Sequence, residues 1–299
     1  MSTRINHNML SMSAQRSIWT TQTELDKSVQ RLSTGLRINN AEDDPTGLGV
    51  SERMRANLAG MGEAEKNANY DVNMMQTAEG SLGVIDEKLI RMRAIAVQAS
   101  NGILTTLDRK VANVEFQQLK SEVDRIAKTT NYNGFYLLDG SHAAATASTD
   151  TTLALGFNSV NTANTDNGIK FHIGENNVAG QDYYYINLGG MTSSALGLDS
   201  LNVADTASAQ TAVDSLITAI NSKDTERTFI GSMVERMQNT ILNLKISEEN
   251  ATASESTIRD TDFAAEMSNY TRAQVLMQTG VSMLSAANQL PNMIAQLVG

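Results

Sequence analysis

The chain has 299 residues, a formal net charge of -10, 5% aromatic residues and 2 prolines. Binding to a nucleic-acid backbone needs a concentrated basic face, so this acidic composition excludes that class. The absence of cysteine excludes disulfides, thiolate nucleophiles and cysteine-based metal sites. Residues 1–20 lack the apolar core of a secretory signal, and no segment has the roughly 18 apolar residues of a membrane helix. We therefore expect no membrane insertion, and a chain that is either cytosolic or exported by another route.

The first predicted element is a long helix over residues 3–36, where apolar side chains recur at spacings of three and four. Asp44 followed by Pro45 is typical of an N-cap residue and a first helical position, so a second helix begins there. Asn101 and Gly102 end it. Its apolar seam predicts a buried face. The seam consists of Met75, Ala78, Leu82, Ile85, Leu89, Met92, Ala96 and Ala99.

A third helix is predicted over residues 107–128, with Val111, Leu119, Val123 and Ile126 facing inward. Residues 141–210 are rich in Asn, Thr, Ser, Ala and Gly. Within this stretch, residues 169–173 and 183–188 alternate in polarity and predict the two strands of a hairpin.

Helix resumes near Ala207 and continues to Ile258, and a final helix begins near Thr261, with Pro291 as a predicted kink or fraying point. Residues 273–299 carry no charged side chain. At about 100° per residue, one side of this last helix is apolar and the opposite side is polar but uncharged. The apolar side carries Leu276, Met283, Ala287, Leu290, Ile294 and Leu297, and the polar side carries Gln278, Ser282, Ser285, Gln289, Asn292 and Gln296.

These patterns predict a mainly α fold with a small β-hairpin region in the middle. Each terminal helix has an apolar stripe too narrow to form its own core. Antiparallel pairing of the N-terminal helix with the C-terminal helix, as in a long coiled coil, would bury both stripes and produce a rod.

Several segments of the chain closely resemble bacterial flagellin, and they lie in both terminal regions. They are residues 4–8, 32–39, 76–80, 91–99, 131–134 with 137–138, 258–262 and 283–291. The resemblance implies a fold with the two inner flagellin domains and no large outer domains. It assigns residues 1–40 and 259–299 to an inner-tube helical domain, residues 41–140 and 207–258 to an outer-tube domain, and residues 141–206 to a β-hairpin and polar surface region.

The resemblance also implies a structural subunit of the extracellular flagellar filament that serves swimming motility. Its implied partners are copies of itself, the type III export apparatus that passes it unfolded, an export chaperone, the filament cap and the hook-junction proteins. The expected assembly residues are Ile5, Trp19, Leu25, Val29, Leu32, Leu36, Leu276, Met283, Leu290, Ile294 and Leu297. We expect the polar stripe of the last helix to face the central channel, where an uncharged polar wall would not retain a passing chain.

Arg91, Ile95 and Glu115 match family positions that the vertebrate Toll-like receptor for flagellin recognises on monomers. Ala94 stands where a glutamate is typical in the family. The alternative is that these residues serve filament packing alone.

No enzyme, cofactor or metal site is expected. The three histidines have no ligand spacing, helix capping explains Asp43 and Asp44 without an acid/base role, and Gly47-Leu48-Gly49 is more typical of close packing at a helix start than of a nucleotide loop. Two other functions stay open: a filament-hook junction protein, and a soluble coiled-coil binding protein of the cytosol.

Overall fold

The computed structural model describes residues 8–143, 160–161 and 168–298, and it describes side chains at residues 8–143 and 168–289. Five helices dominate this part of the chain: α1 (Met9–Thr34), α2 (Pro45–Ala99), α3 (Thr106–Thr129), α4 (Thr206–Arg259) and α5 (Phe263–Val298). The short strands are β1 (Asn131–Tyr132), β2 (Phe135–Tyr136), β3 (Val160–Asn161), β4 (Ile169–His172) and β5 (Tyr183–Ile186). The predicted mainly α class is confirmed. None of the helices in the described part combines the length and the apolar character that crossing a bilayer requires.

Local signals in the sequence set the helix ends, and the predicted start of α2 at Asp44 and Pro45 is confirmed. The Asp44 side chain accepts a hydrogen bond from the backbone N–H of Gly47 at 2.9 Å, which caps α2. Gly35, with φ of 74°, ends α1 in the left-handed conformation that glycine adopts without a steric penalty. Thr105 and Asp108 form a capping box at the start of α3. The last helix continues past Pro291, which therefore does not end it.

The chain forms two compact units. The terminal unit comprises Met1–Leu58 and Glu249–Gly299, and the central unit comprises Ala59–Glu248. The core of the central unit joins α2, α3 and α4 to the three-stranded antiparallel sheet of order β3-β5-β4. All eight residues of the predicted α2 seam are fully buried there. Val111 was expected to face this core, but it is exposed, and the neighbouring Ala112 packs against the core instead.

The predicted hairpin is confirmed as β4 and β5, paired with Lys170 opposite Tyr185. Because side chains alternate along a strand, Phe171, Tyr184 and Ile186 enter the core while Lys170 lies outside. A second, smaller hairpin joins β1 to β2 through Asn133 and Gly134, both at positive φ.

One lysine is buried inside the central unit. Lys223 Nζ lies 2.6 Å from carboxylate oxygens of both Asp86 on α2 and its neighbour Asp224. Two further ion pairs between these helices have the same polarity, with the acid on α2 and the base on α4: Glu79 with Arg227 and Glu65 with Lys245. Sliding α2 along α4 would separate these oppositely charged side chains. The ion pairs therefore favour the observed alignment of the two helices.

Candidate assembly interface

The terminal unit is built on the antiparallel pairing of α1 with α5. Asn8 donates a hydrogen bond to the carbonyl of Ala287 at 2.8 Å, and at the other end of the pair Arg31 lies 3.7 Å from the buried carboxylate of Glu266. This confirms that the two ends of the chain pair as helices.

The residues that make this pairing, here called the α1–α5 seam, are buried or half-buried and recur at spacings of three and four. On α1 they are Ser11, Ala14, Ile18, Thr21, Leu25, Ser28 and Leu32, and on α5 they are Glu266, Tyr270, Ala273, Met277, Gly280, Leu284 and Ala287. Many of these residues are small. On α5 the small residues Ala273, Gly280 and Ala287 lie seven positions apart, so every second seam position there is small. Ile18 lies directly over Gly280, where an added Cβ would be only 3.0 Å from Ile18 Cγ1. Small size at these positions therefore permits close helix packing.

The predicted apolar stripe of α5 does not form this seam. Leu276 is 48% exposed and Met283 is 63% exposed. At about 100° per residue, they lie roughly 90° around the helix from the middle of the seam. The expectation that pairing with the N-terminal helix buries this stripe is therefore wrong for Leu276 and Met283, although it holds for Ala287. These two side chains stay available for other contacts.

The predicted assembly residues thus divide into two groups. Leu25, Leu32 and Leu36 are half-buried within the chain, whereas Trp19 and Val29 are exposed. Other exposed apolar residues of the terminal unit were not predicted. They are Met9, Leu10, Met12, Phe263, Met267, Val275 and Val281. Ile5, and the side chains of Leu290, Ile294 and Leu297, lie outside the described residues.

The predicted polar stripe is solvent-exposed. Gln278, Ser282, Ser285 and Gln289 are all exposed on the side of α5 away from the seam. The side chains of Asn292 and Gln296 lie outside the described residues.

Two sequence segments that carry the family resemblance meet at the end of this helix pair. Leu36 and Asp260 form an isolated antiparallel bridge, and the N–H of Arg37 donates to the carbonyl of Arg259 at 2.6 Å. The Arg37 guanidinium also donates to the carbonyl of Ile258. Arg259 in turn lies 2.8 Å from Glu52, and its hydrogen bond lowers the pKa of that carboxyl. The residues of these segments therefore hold the chain ends together.

Asp43 and Asp44 have structural partners at the start of α2. Asp43 accepts hydrogen bonds from the N–H groups of Asn40 and Asn39, and the bond from Asn40 in particular lowers its pKa. Asp44 caps the helix, so both side chains have the capping and turn roles that the sequence predicted. Within the part of the chain that the structure describes, no three His, Asp or Glu side chains gather as metal ligands would.

The first turn of α2 requires a glycine at Gly47, whereas the glycine at Gly49 can be replaced. A Cβ at Gly47 would collide with the Asp44 carboxylate and lie 2.8 Å from Ile38 Cδ1, whereas a Cβ at Gly49 would meet nothing within 4 Å. We expect Gly47→Ala to lower the free energy of unfolding by about 1 kcal/mol. Gly49→Ala should leave it unchanged or raise it by up to about 1 kcal/mol, because alanine favours helix. Urea unfolding followed by circular dichroism measures both, and equal effects of the two changes would contradict this account.

The three predicted receptor positions are not equivalent. Arg91 and Glu115 are exposed and form an ion pair at 2.6 Å between α2 and α3. Ile95 is only 1% exposed, because it faces the core of the central unit. The expectation of a direct contact through Ile95 is therefore not supported by its position.

The sequence analysis did not identify a half-buried carboxyl group in the central unit. Asp71 on α2 has an inaccessible Oδ2 with no hydrogen-bond partner among the described residues. Burial raises its pKa from an ordinary value of 3.8 to about 7. Near it, Tyr184 lies under the Arg236 guanidinium, whose carbon is 4.5 Å from the ring centre. A single sequence gives no signal for this site, because Tyr184 and Arg236 come from distant segments.

The fold and the paired termini define a class of mainly α-helical proteins whose two chain ends pack against each other and leave apolar side chains outside. Comparison of this chain with known proteins identifies its family within this class. The family described as the bacterial flagellin N-terminal helical region matches residues 5–143, and the bacterial flagellin C-terminal helical region matches residues 210–298. The chain belongs to the bacterial flagellin family.

Relatives match along nearly the whole chain. The flagellar filament 33 kDa core protein of Treponema phagedenis is 36% identical over 300 residues, covering 98% of this chain and 99% of that protein. The flagellin of Halalkalibacterium halodurans is 35% identical over 296 residues, covering 98% and 99%. The crystal structure of Bacillus cereus flagellin has a TM-score of 0.43 and 28% identity, covering 60% of this chain and 88% of that one.

Proposed function

We propose that this protein is the structural subunit of a bacterial flagellar filament and that it polymerises through the exposed faces of its terminal unit. The observation that carries the proposal is the set of apolar side chains, including Trp19, Leu276 and Met283, which the α1–α5 seam leaves exposed. Helical polymers grow by heterologous contacts that never close on themselves. Such contacts would cover these side chains, and the filament names of the relatives agree with this reading.

The remaining parts of the proposal follow the family. The filament would be extracellular and serve swimming, with subunits exported unfolded by the type III pathway with the help of a chaperone and added beneath a cap. Residues 1–40 and 259–299 would form the inner tube and residues 41–140 and 207–258 the outer tube, with residues 141–206 at the surface. The role is mechanical and no catalytic step is proposed.

Seeded growth tests the proposal. Monomers obtained by heating are mixed with short filament fragments and examined by electron microscopy, beside a variant that ends at Thr271 and so lacks most of α5. We expect the full chain to lengthen the seeds and the truncated chain to leave them unchanged. If the full chain does not polymerise under any seeding or salt condition, a junction protein or a soluble coiled-coil binder becomes the better account.

We further propose that the polar stripe of α5 lines the channel through which later subunits pass. Gln289→Leu should slow filament growth in cells, because an apolar wall would retain apolar segments of the passing chain. Purified Gln289→Leu monomers should still lengthen seeds at the normal rate. The control is Gln238→Leu on the exposed side of α4. Normal growth in cells with Gln289→Leu would exclude the channel role.

We propose that the Toll-like receptor contacts Arg91 and Glu115 but not Ile95. These two side chains are exposed and form an ion pair with each other. Monomers carrying Glu115→Gln should activate cells that express the Toll-like receptor less than unchanged monomers do. Equal activation would leave these residues with a packing role alone.

A further inference from the structure

Among the described residues, the exposed methionines of this protein lie in the terminal unit, and the buried ones lie in the central unit. Four described methionine side chains are between 49% and 67% exposed, and all belong to the terminal unit: Met9, Met12, Met267 and Met283. In the central unit six methionines are buried, namely Met74, Met75, Met92, Met191, Met233 and Met237. Packing explains the buried set. It does not explain the exposed set, which lies on the two helices that pair the chain ends.

Exposed thioethers have a chemistry that exposed leucines lack. A chain without cysteine has no thiolate to consume an oxidant first, so an accessible methionine sulfur is its most readily oxidised group. Oxidation to the sulfoxide converts an apolar side chain into a polar one, and methionine sulfoxide reductases reverse it. Burying a sulfoxide without a hydrogen-bond donor is unfavourable.

We infer that Met9, Met12, Met267 and Met283 are separate, reversible oxidation sites along the α1–α5 pair and that their oxidation controls self-association of the terminal unit. The inference rests on the proposed filament function, because it requires these side chains to be covered when subunits associate. Hydrogen peroxide is the oxidant. The methionine sulfur donates an electron pair to one peroxide oxygen, an S–O bond forms as the O–O bond breaks, and the second oxygen leaves as water. The sulfur loses two electrons, which the peroxide gains.

Peptide mass mapping tests the selectivity of these sites. Monomers are treated with increasing amounts of hydrogen peroxide, and the oxidised fraction of each methionine is measured. We expect the four exposed methionines to be oxidised first, while the six buried ones resist as long as the central unit stays folded. Oxidation of both sets at one rate would overturn the inference.

Seeded growth tests the consequence. The measured quantity is the critical concentration, which is the monomer concentration left when growth stops. Peroxide treatment should raise it roughly tenfold or more, since each association buries polar sulfoxides in place of apolar groups. Incubation with both sulfoxide reductases should restore the original value. The matched variant replaces all four exposed methionines by leucine, a change of similar volume, and its critical concentration should not respond to peroxide.

The outcomes separate the two proposals. Untreated monomers that never lengthen seeds would refute the filament function itself. Untreated and oxidised monomers that grow alike would refute the oxidation sites and leave the filament function intact. If the leucine variant does not grow, reversal by the reductases on the unchanged sequence decides, and a failure to restore growth would overturn the inference.

Discussion

Asp71→Asn is expected to stabilise the protein strongly at pH 8 and to leave it almost unchanged at pH 4. In the unfolded chain this carboxyl releases its proton near its ordinary pKa of 3.8, whereas in the folded chain burial raises the pKa to about 7. Between these values the folded state binds more protons than the unfolded state, so its stability falls as the pH rises. Above pH 7 the full cost of the buried charge is present, on the order of 2–4 kcal/mol. Asparagine removes that charge.

The measurement is the difference in free energy of unfolding between Asp71→Asn and the unchanged protein, taken from urea titrations at several pH values. Other carboxyls, such as Asp43 and Asp108, have a pKa lowered by hydrogen bonds, so they reduce stability as the pH falls. Their contribution is the same in both proteins and cancels in the difference. Asp214→Asn on the exposed side of α4 is the control and should show a flat difference. A flat difference for Asp71→Asn as well would mean that water reaches its carboxylate.

Gly280→Leu is expected to separate α1 from α5. The new side chain would occupy the space of Ile18, whose Cγ1 already lies 3.0 Å from the position of a Cβ. Overpacking of this kind costs about 1–3 kcal/mol, which exceeds the gain of up to about 1 kcal/mol from replacing glycine in a helix. Circular dichroism measures the separation as a loss of helix that begins at a lower urea concentration than in the unchanged protein.

Two further variants sharpen this test. Gly231→Leu on α4 places a side chain where a Cβ meets nothing within 4 Å, so it should be neutral or stabilising. Ile18→Ala combined with Gly280→Leu exchanges the large and small partners, and it should be more stable than the sum of the two single changes predicts. Simple additivity would show that Ile18 and Gly280 do not share one contact.

The elements that the sequence predicted well depend on local or strongly periodic signals. The α2 seam combines a regular spacing with large apolar side chains, and the Asp44-Pro45 cap is a signal of two adjacent residues. The β4–β5 hairpin was recognisable because short alternating stretches are bounded by turn residues. Each of these signals lies within a short piece of chain, so tertiary contacts were not needed to recognise it.

The wrong expectations for Val111, Leu276 and Met283 share one physical cause. Val111 of α3 and Leu276 and Met283 of α5 were expected to face a partner because they are large apolar side chains at helical spacing. The smaller residues Ala112, Ala273 and Gly280 lie at these contacts instead. Close helix packing instead selects for small size at the point of contact. The partners that make size decisive, such as Ile18 for Gly280, lie far away in the sequence. Asp71 was missed for a related reason, since distant segments create its burial.

The pairing of the chain ends also dictates when the terminal unit can fold. Asn8 bonds to Ala287 and Arg37 bonds to Arg259, so α1 has no helical partner until α5 has been synthesised. Contacts of such large sequence separation form slowly, because the chain must close a very long loop first. Folding of this unit is thus postponed until α5 has been made, and in every shorter nascent chain α1 lacks the helix that it packs against.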